Sequence, residues 1–214
     1  MNFTFDSATH TYRQAGIVLP GVTRVIDHAG LTSFENVRDD ILERRGRLGT
    51  IVHRSCHFLD QNDLNWETVA SEAKGYVESW AMLCEDLRVK WRQIEHQCVA
   101  EIDGMKFGMQ IDREGPIGGE ESIVDIKISR QAEAWHGVQL AGYAIGLPHE
   151  SLQTPMARFS RRRRYIAKLN EQGKKARLIP YESRRDFDVF RSALVISHAK
   201  LLWGKRISVL EEAA

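Results

Sequence analysis

The chain has 214 residues, of which 43% are hydrophobic, and this is enough to bury one core, so we predict a single domain over residues 1–214. The formal net charge is +1, so net charge alone gives no indication of a nucleic-acid partner. The sequence contains neither a secretory hydrophobic segment nor an apolar run long enough to span a bilayer, which argues against a membrane partner and favours a cytoplasmic location.

The first part of the chain, about residues 34–93, is predicted to be mainly helical. Thr50 is a candidate cap for a helix that carries His53. Asp60 would follow on the surface of the same helix. Apolar residues at steps of three and four predict a long amphipathic helix at about residues 67–92, a pattern that is typical of core packing.

The second part, about residues 96–203, is predicted to begin with three strands. The first runs from about residue 97 to 102 and ends at Asp103-Gly104, a pair typical of a tight hairpin turn. The second, residues 107–112, alternates apolar and polar side chains as a half-buried strand does, and we expect it to end at its aspartate.

Asp112 is expected to lie near a second carboxylate, Asp125. The linker between them, residues 114–120, is rich in turn residues, so the two flanking strands should pair as an antiparallel hairpin. On the next strand Asp125 and Lys127 point to one face, which leaves Ile126 free to join the core on the other.

A helix follows at about residues 131–146. Gln139 and Tyr143 are one turn apart in it, so they share a face that can overlook the carboxylates. Two more strands, one at residues 165–169 and one opening at 174–177, precede a closing helix at about 184–203. This order predicts an α/β fold with a mixed central β-sheet flanked by helices.

These residue types together predict a metal-dependent nuclease site. Two carboxylates and a histidine supply oxygen and nitrogen ligands for a divalent ion, and Lys127 supplies a cation beside an attacked phosphate. Each piece alone has an ordinary structural explanation: an Asp-x-Lys pair is usually solvated, and His53 could equally be a core histidine. The order in which these residues occur along the sequence favours the nuclease interpretation.

The ordered set resembles the PD-(D/E)xK nuclease superfamily, in particular its RecB-like and phage-type exonuclease branch. The N-terminal segment from Phe5 through Gly21-Val22-Thr23 is also similar to phage members. The resemblance implies a restriction-endonuclease-like core. The matching motifs, which extend over much of the chain, are Gly49-Thr50-Ile51-Val52-His53, Gly108-Met109-Gln110-Ile111-Asp112, Asp125-Ile126-Lys127 and Gln139-Leu140-Ala141-Gly142-Tyr143.

The resemblance also implies a role for each motif residue. Mg²⁺ or Mn²⁺ would be bound by His53, Asp112, Asp125 and the backbone carbonyl of Ile126. Lys127 would orient the water nucleophile or stabilise charge on the phosphate, assisted by the Gln139 and Tyr143 side chains. Ser129 would contact a DNA phosphate, although Ile128 precedes it where relatives often have threonine.

Basic residues are concentrated near the C-terminal end. Residues 158–206 hold 15 Lys and Arg against 4 Asp and Glu, a local charge of +11, which leaves −10 for the rest of the chain. Arg161, Arg162, Arg163 and Arg164 are the candidate DNA contacts, and about two of them could reach one phosphate backbone from a strand. The alternative is a basic edge that discourages strand pairing.

The three cysteines, Cys56, Cys84 and Cys98, are odd in number and have no C-x-x-C spacing. This argues against a disulfide framework and suits a reducing compartment. Three thiolates also cannot supply the four ligands of an iron-sulfur cluster, so none is expected.

The resemblance favours an exonuclease that processes DNA ends in recombination or repair, with DNA as substrate and a recombination or annealing protein as a candidate partner. If the chain is encoded by a phage, the location would be the host cytoplasm. Three alternatives remain: an endonuclease of the same fold, a DNA-binding module without turnover, and an unrelated phosphohydrolase that cleaves nucleotides. Nothing in the sequence indicates the oligomeric state.

Overall fold

The structure is a computed structural model, and it describes residues 3–7, 9–32, 38–129, 131–147 and 160–212, with side chains up to residue 204. Eight strands, five α-helices and a short 3-10 helix (Trp66–Thr68) occupy this part of the chain. In chain order they are β1 (Phe3–Asp6), β2 (Thr11–Gln14), β3 (Ile17–Leu19), α1 (Val22–His28), α2 (Asp39–Asp60), α3 (Ser71–Leu87), β4 (Gln93–Ile102), β5 (Met105–Ile117), β6 (Glu120–Lys127), α4 (Ala134–Gly146), β7 (Arg163–Lys168), β8 (Arg177–Pro180) and α5 (Arg185–Glu212).

The central sheet has five strands in the order β4-β5-β6-β7-β8. Only β6 and β7 pair in parallel, and their connection includes α4, because a parallel pair needs a long crossover. The other neighbours are antiparallel. The prediction of an α/β fold with a mixed sheet flanked by helices is therefore confirmed.

Two tight turns join the first three strands of this sheet. Asp103 and Gly104 both have positive φ, at 52° and 76°, which confirms the predicted hairpin. Gly118 and Gly119, at 59° and 84°, make the next turn, where glycine adopts this backbone without strain.

Helices pack on both faces of the sheet. One core cluster joins Phe107 and Ile123 to the helices α1, α4 and α5. The other joins Val124 and Ile126 to α2 and α3, with Trp80 fully buried at its centre. Ile126 therefore lies in the core, as predicted. Within the described residues, no helix is long and apolar enough to cross a membrane.

Several predicted boundaries are wrong. The strand expected to end at Asp112 continues to Ile117, because the polar residues that follow, Arg113 and Glu114, are themselves buried. Thr50 does not cap a helix: α2 already begins at Asp39, and the Thr50 hydroxyl donates to the Gly46 carbonyl within it.

The predicted N-terminal helical part contains α2 and α3, although its first residues, 34–37, lie outside the described residues. The amphipathic helix expected at about 67–92 spans only Ser71–Leu87, and its end at Arg88 has a left-handed φ of 49°. The closing helix is longer than predicted.

A three-stranded sheet precedes the helices, and the sequence did not predict it. It contacts the central sheet at Gly108, whose N–H donates to the Pro20 carbonyl at 2.9 Å. A Cβ at Gly108 would lie 2.0 Å from Cγ of the Tyr12 ring, so this close approach requires glycine. The small sheet is thereby held over the strand that carries Asp112.

Candidate metal centre

One cleft of about 1260 Å³ is lined by six of the predicted site residues: His53, Asp112, Asp125, Lys127, Gln139 and Tyr143. α2 contributes His53, β5 contributes Asp112, and β6 contributes Asp125 and Lys127. The small N-terminal sheet and α1 form one wall, and α2 forms the other.

Asp112 is fixed by a backbone donor of the neighbouring strand. Pairing between β5 and β6 extends as far as Arg113 and Val124. Beyond that point the Asp112 carboxylate takes the place of the backbone ladder, because its Oδ2 accepts from the N–H of Ile126 at 2.7 Å. Asp112 is only 7% exposed, so this hydrogen bond and the nearby cations stabilise a charge with little access to water.

His53 contacts the backbone of Ile126 through one ring nitrogen and faces two carboxylates through the other. Its Nε2 lies 3.1 Å from the Ile126 carbonyl, and since a carbonyl only accepts, Nε2 is the donor. Nδ1 then faces the Asp112 carboxylate at 3.5 Å and that of Glu95 at 3.6 Å. An imidazole whose distal N–H donates to a backbone carbonyl is the usual arrangement of a metal-binding histidine.

The Ile126 carbonyl was expected to be a metal ligand. In the structure it accepts the hydrogen bond from His53. A carbonyl oxygen has two lone pairs, so this contact leaves room for a second interaction.

Glu95 on β4 completes the cluster, and no motif in the sequence indicated it. One ligand atom each from His53, Glu95 and Asp112 lie within 4.8 Å of one another. Glu95 has a left-handed φ of 49°, and the regular pairing of β4 with β5 is interrupted there. Glu101, six residues further along the same strand, is exposed and lies 3.8 Å from Lys106.

A fully buried arginine holds Glu95 in place. Arg113 donates from Nη1 to Glu95 at 3.0 Å and to the Asp112 carbonyl at 2.6 Å. Its Nε bonds Asp60 at 2.5 Å, and Asp60 also accepts from Trp80. The expectation that Asp60 is a surface residue is wrong, because its side chain is 4% exposed and neutralises Arg113.

Asp125 and Lys127 form an ion pair on the same face of β6, as their spacing predicted. Nζ of Lys127 lies 2.7 Å from Oδ2 of Asp125, and it also lies 5.9 Å from the centre of the Trp135 ring. Asp125 is 2% exposed. Its carboxylate is thus directed to Lys127 and is not a member of the close cluster of His53, Glu95 and Asp112.

Gln139 and Tyr143 share the buried face of α4 that overlooks the site. The Gln139 amide donates to the Tyr143 hydroxyl at 2.9 Å and lies 3.5 Å from the Thr23 hydroxyl. Gln139 Oε1 has no hydrogen-bond partner among the described residues. Both side chains line the same cleft as Asp112 and Asp125, and their predicted part in catalysis stays a prediction.

The electrostatics of the cluster favour a bound cation. Burial by itself lowers the pKa of His53, but the Asp112 and Glu95 carboxylates outweigh it and raise the pKa to about 9. Burial raises the pKa of Asp112 to about 7, with Asp125 adding to the effect and His53 opposing it. Closely spaced buried carboxylates are unfavourable unless a proton or a metal ion neutralises them.

Ser129 and the predicted arginines lie away from this cleft. Ser129 donates its hydroxyl to the Gln131 carbonyl, and β7 begins at Arg163, which is opposite Ser122 at the far end of β6 from Lys127. Arg161 is exposed.

Two of these arginines have structural contacts that limit a DNA role. Arg164 is 4% exposed and bonds Asp186 and the Gly137 carbonyl, which leaves little of its side chain accessible for the predicted DNA contact. Arg162 lies 3.7 Å from Glu114 with a side chain 9% exposed. Arg158 and the side chains of residues 205 and 206, also counted in the basic segment, lie outside the described residues.

No protein-family model matches the chain, and no curated protein matches it significantly. We therefore infer the function from the geometry of the site and from the motif residues themselves.

Proposed function

We propose that the protein is a metal-dependent deoxyribonuclease of the PD-(D/E)xK type that hydrolyses DNA phosphodiester bonds. The observation that carries the proposal is the close cluster of His53, Glu95 and Asp112 ligand atoms, within 4.8 Å of one another, beside the ion pair of Asp125 and Lys127. A restriction-endonuclease-like arrangement of the mixed sheet is part of the same proposal.

The residues present fit a divalent ion. The donors are one imidazole nitrogen and carboxylate oxygens, a set that suits Mg²⁺ or Mn²⁺, and the imidazole favours manganese. His53, Glu95 and Asp112 would hold the ion, with Asp125 and the Ile126 carbonyl as the further candidates. The raised pKa of Asp112 supports this fit, because a cation would offset the cost of its buried charge.

A bound divalent ion lowers the pKa of a coordinated water and neutralises charge on a phosphate. Lys127 supplies a positive charge beside that phosphate. Burial lowers the pKa of Lys127, but Asp125 and Asp112 outweigh it and raise the pKa, so the ammonium group stays protonated at neutral pH. Gln139 and Tyr143, already hydrogen-bonded to each other, are placed to orient a water or a DNA oxygen.

Within this activity we propose an exonuclease that acts on DNA ends in recombination or repair, with a recombination or annealing protein as candidate partner. This choice rests on the resemblance to the phage-type branch. It is tested by incubating linear DNA, labelled separately at each end, and covalently closed circular DNA with Mg²⁺, Mn²⁺ or a chelator.

Metal-dependent loss of the linear DNA alone would support the exonuclease, and the label released first would give its polarity. Cutting of the circles would indicate an endonuclease instead. Binding without cutting in any metal would indicate an inactive DNA-binding module. Hydrolysis of mononucleotides but not of DNA would indicate a different phosphohydrolase.

A further inference from the structure

The depth of the metal centre constrains the form of DNA that can reach it. Asp112 and Asp125 are 7% and 2% exposed, so a phosphate must descend to the floor of the cleft to meet them. The cleft, at about 1260 Å³, exceeds the roughly 300–1,000 Å³ of a site for a drug-sized ligand, which leaves room for a few nucleotides of one strand.

Aromatic side chains lie on both walls of this cleft. On the wall formed by the small sheet, Phe5 is partly exposed and is supported by Tyr12, with ring centres 4.7 Å apart, and by the edge of His10. On the wall formed by α2, Phe58 is partly exposed and contacts His57 edge to face.

An arginine accompanies the aromatic residues on each wall. Arg24 on α1 and Arg54 on α2 are both exposed and line the cleft. Among the described residues neither has a carboxylate within ion-pair distance, whereas the exposed Arg163 pairs with Glu120 and Glu182, and the partly exposed Arg191 pairs with Asp103. The Arg54 guanidinium lies over the Phe58 ring, 5.7 Å from its centre.

We propose that this cleft binds an unpaired DNA strand, with bases stacked on Phe5 and Phe58 and phosphates paired with Arg24 and Arg54. Aromatic platforms combined with a positively charged groove are how proteins hold single strands irrespective of sequence. Of the acidic residues that line the cleft, Glu95, Asp112 and Asp125 belong to the metal centre, and Asp27 accepts from the Thr32 hydroxyl. The inference rests on the proposed nuclease and specifies the form of its substrate.

The stacking part is tested by equilibrium binding in chelator, where no hydrolysis occurs. The probes are a short fluorescein-labelled oligothymidylate and an abasic oligonucleotide of equal length, which has the phosphates but no bases. Phe58→Leu should weaken oligothymidylate binding by about 5- to 150-fold and leave abasic binding unchanged. Phe58→Tyr, which retains an aromatic ring, should restore the binding.

Trp66→Ala is the matched control, because Trp66 is a partly exposed aromatic residue that does not line the cleft. It should leave both affinities unchanged. Phe5→Leu is the corresponding variant on the opposite wall, and circular dichroism would establish that it remains folded. Arg24→Gln and Arg54→Gln should each weaken both probes and reduce the salt dependence of binding by about one counterion.

Equal affinity of the parent protein for the two probes, together with no effect of Phe58→Leu, would overturn the inference. Binding of blunt duplex DNA as tightly as oligothymidylate would also overturn it. The proposed activity is tested separately from the cleft. Base-dependent binding without metal-dependent hydrolysis would support the single-strand cleft and contradict the nuclease. Metal-dependent hydrolysis with no effect of Phe58→Leu on binding would support the nuclease and contradict the single-strand cleft.

Discussion

At the scale of single residues, the two ring nitrogens of His53 have different environments. Nε2 is engaged by the Ile126 carbonyl, and Nδ1 faces two carboxylates. A neutral imidazole would direct its Nδ1 lone pair at those oxygens, which is favourable only if a proton or a metal ion lies between them. Because a proton and a metal ion compete for the same place, metal binding at this site can be measured by titration at different pH values.

Substitution of Glu95 tests whether the cluster of His53, Glu95 and Asp112 binds a metal ion. Glu95→Gln should weaken Mn²⁺ binding by about 10- to 100-fold, because it removes one charged ligand from the set. Isothermal titration calorimetry with Mn²⁺ measures this directly. Glu101→Gln, an exposed glutamate on the same strand, is the control and should bind Mn²⁺ like the parent protein. Equal Mn²⁺ affinities for all three proteins would show that Glu95 is not a metal ligand.

Metal affinity should depend on pH with a definite sign. Without metal, His53 has a pKa raised to about 9 and Asp112 a pKa raised to about 7, so both bind protons near neutrality. A metal ion must displace these protons, and its affinity should therefore rise from pH 6 to pH 9, by about tenfold per unit for each proton released. Calorimetry in two buffers of different ionisation enthalpy would count the protons. An affinity that is constant over this range would contradict the assignment.

At the scale of secondary-structure elements, Arg113 connects three of them. It bonds Asp60 at the end of α2, Glu95 on β4 and the backbone of its own strand β5. Removal of one partner from such a buried ion pair is costly, because the opposite charge is left without compensation. The same contacts that stabilise the fold thus hold a candidate metal ligand.

Arg113→Met should lower the free energy of unfolding by about 3–5 kcal/mol, since two buried carboxylates lose their partner. It should also weaken Mn²⁺ binding, because Glu95 is no longer held. Urea denaturation and calorimetry measure the two effects. Arg163→Gln removes an exposed ion pair with Glu120 and should leave both quantities unchanged. A stable Arg113→Met with normal Mn²⁺ binding would show that Arg113 does not position Glu95.

The sequence predicted the elements with strong local patterns. The Asp103-Gly104 turn, the shared face of Asp125 and Lys127, and the one-turn spacing of Gln139 and Tyr143 each depend on neighbouring residues only. The features that were missed depend on contacts between distant segments. Glu95 joins the site through a left-handed backbone that glutamate rarely adopts, and no local pattern predicts it.

At the scale of the whole molecule, the distribution of charge along the sequence did not predict which basic residues lie around the site. Arg164 belongs to the most basic run, yet it is buried against Asp186 and over the Phe187 ring. The cleft instead takes its exposed arginines from α1 and α2, far from that run in sequence. Only the packing of the small N-terminal sheet and α2 around the central sheet brings them together.

The central claim is that Lys127 and the metal cluster form one hydrolytic site. It is tested most directly by the rate at which labelled linear DNA is hydrolysed as Mn²⁺ is added, for the parent protein and for Lys127→Ala, with Mn²⁺ affinity measured on both. We predict that the parent rate rises with Mn²⁺ occupancy and vanishes in chelator, and that Lys127→Ala binds Mn²⁺ but loses hydrolysis. Equal rates for the two proteins, or hydrolysis that persists in chelator, would contradict the claim.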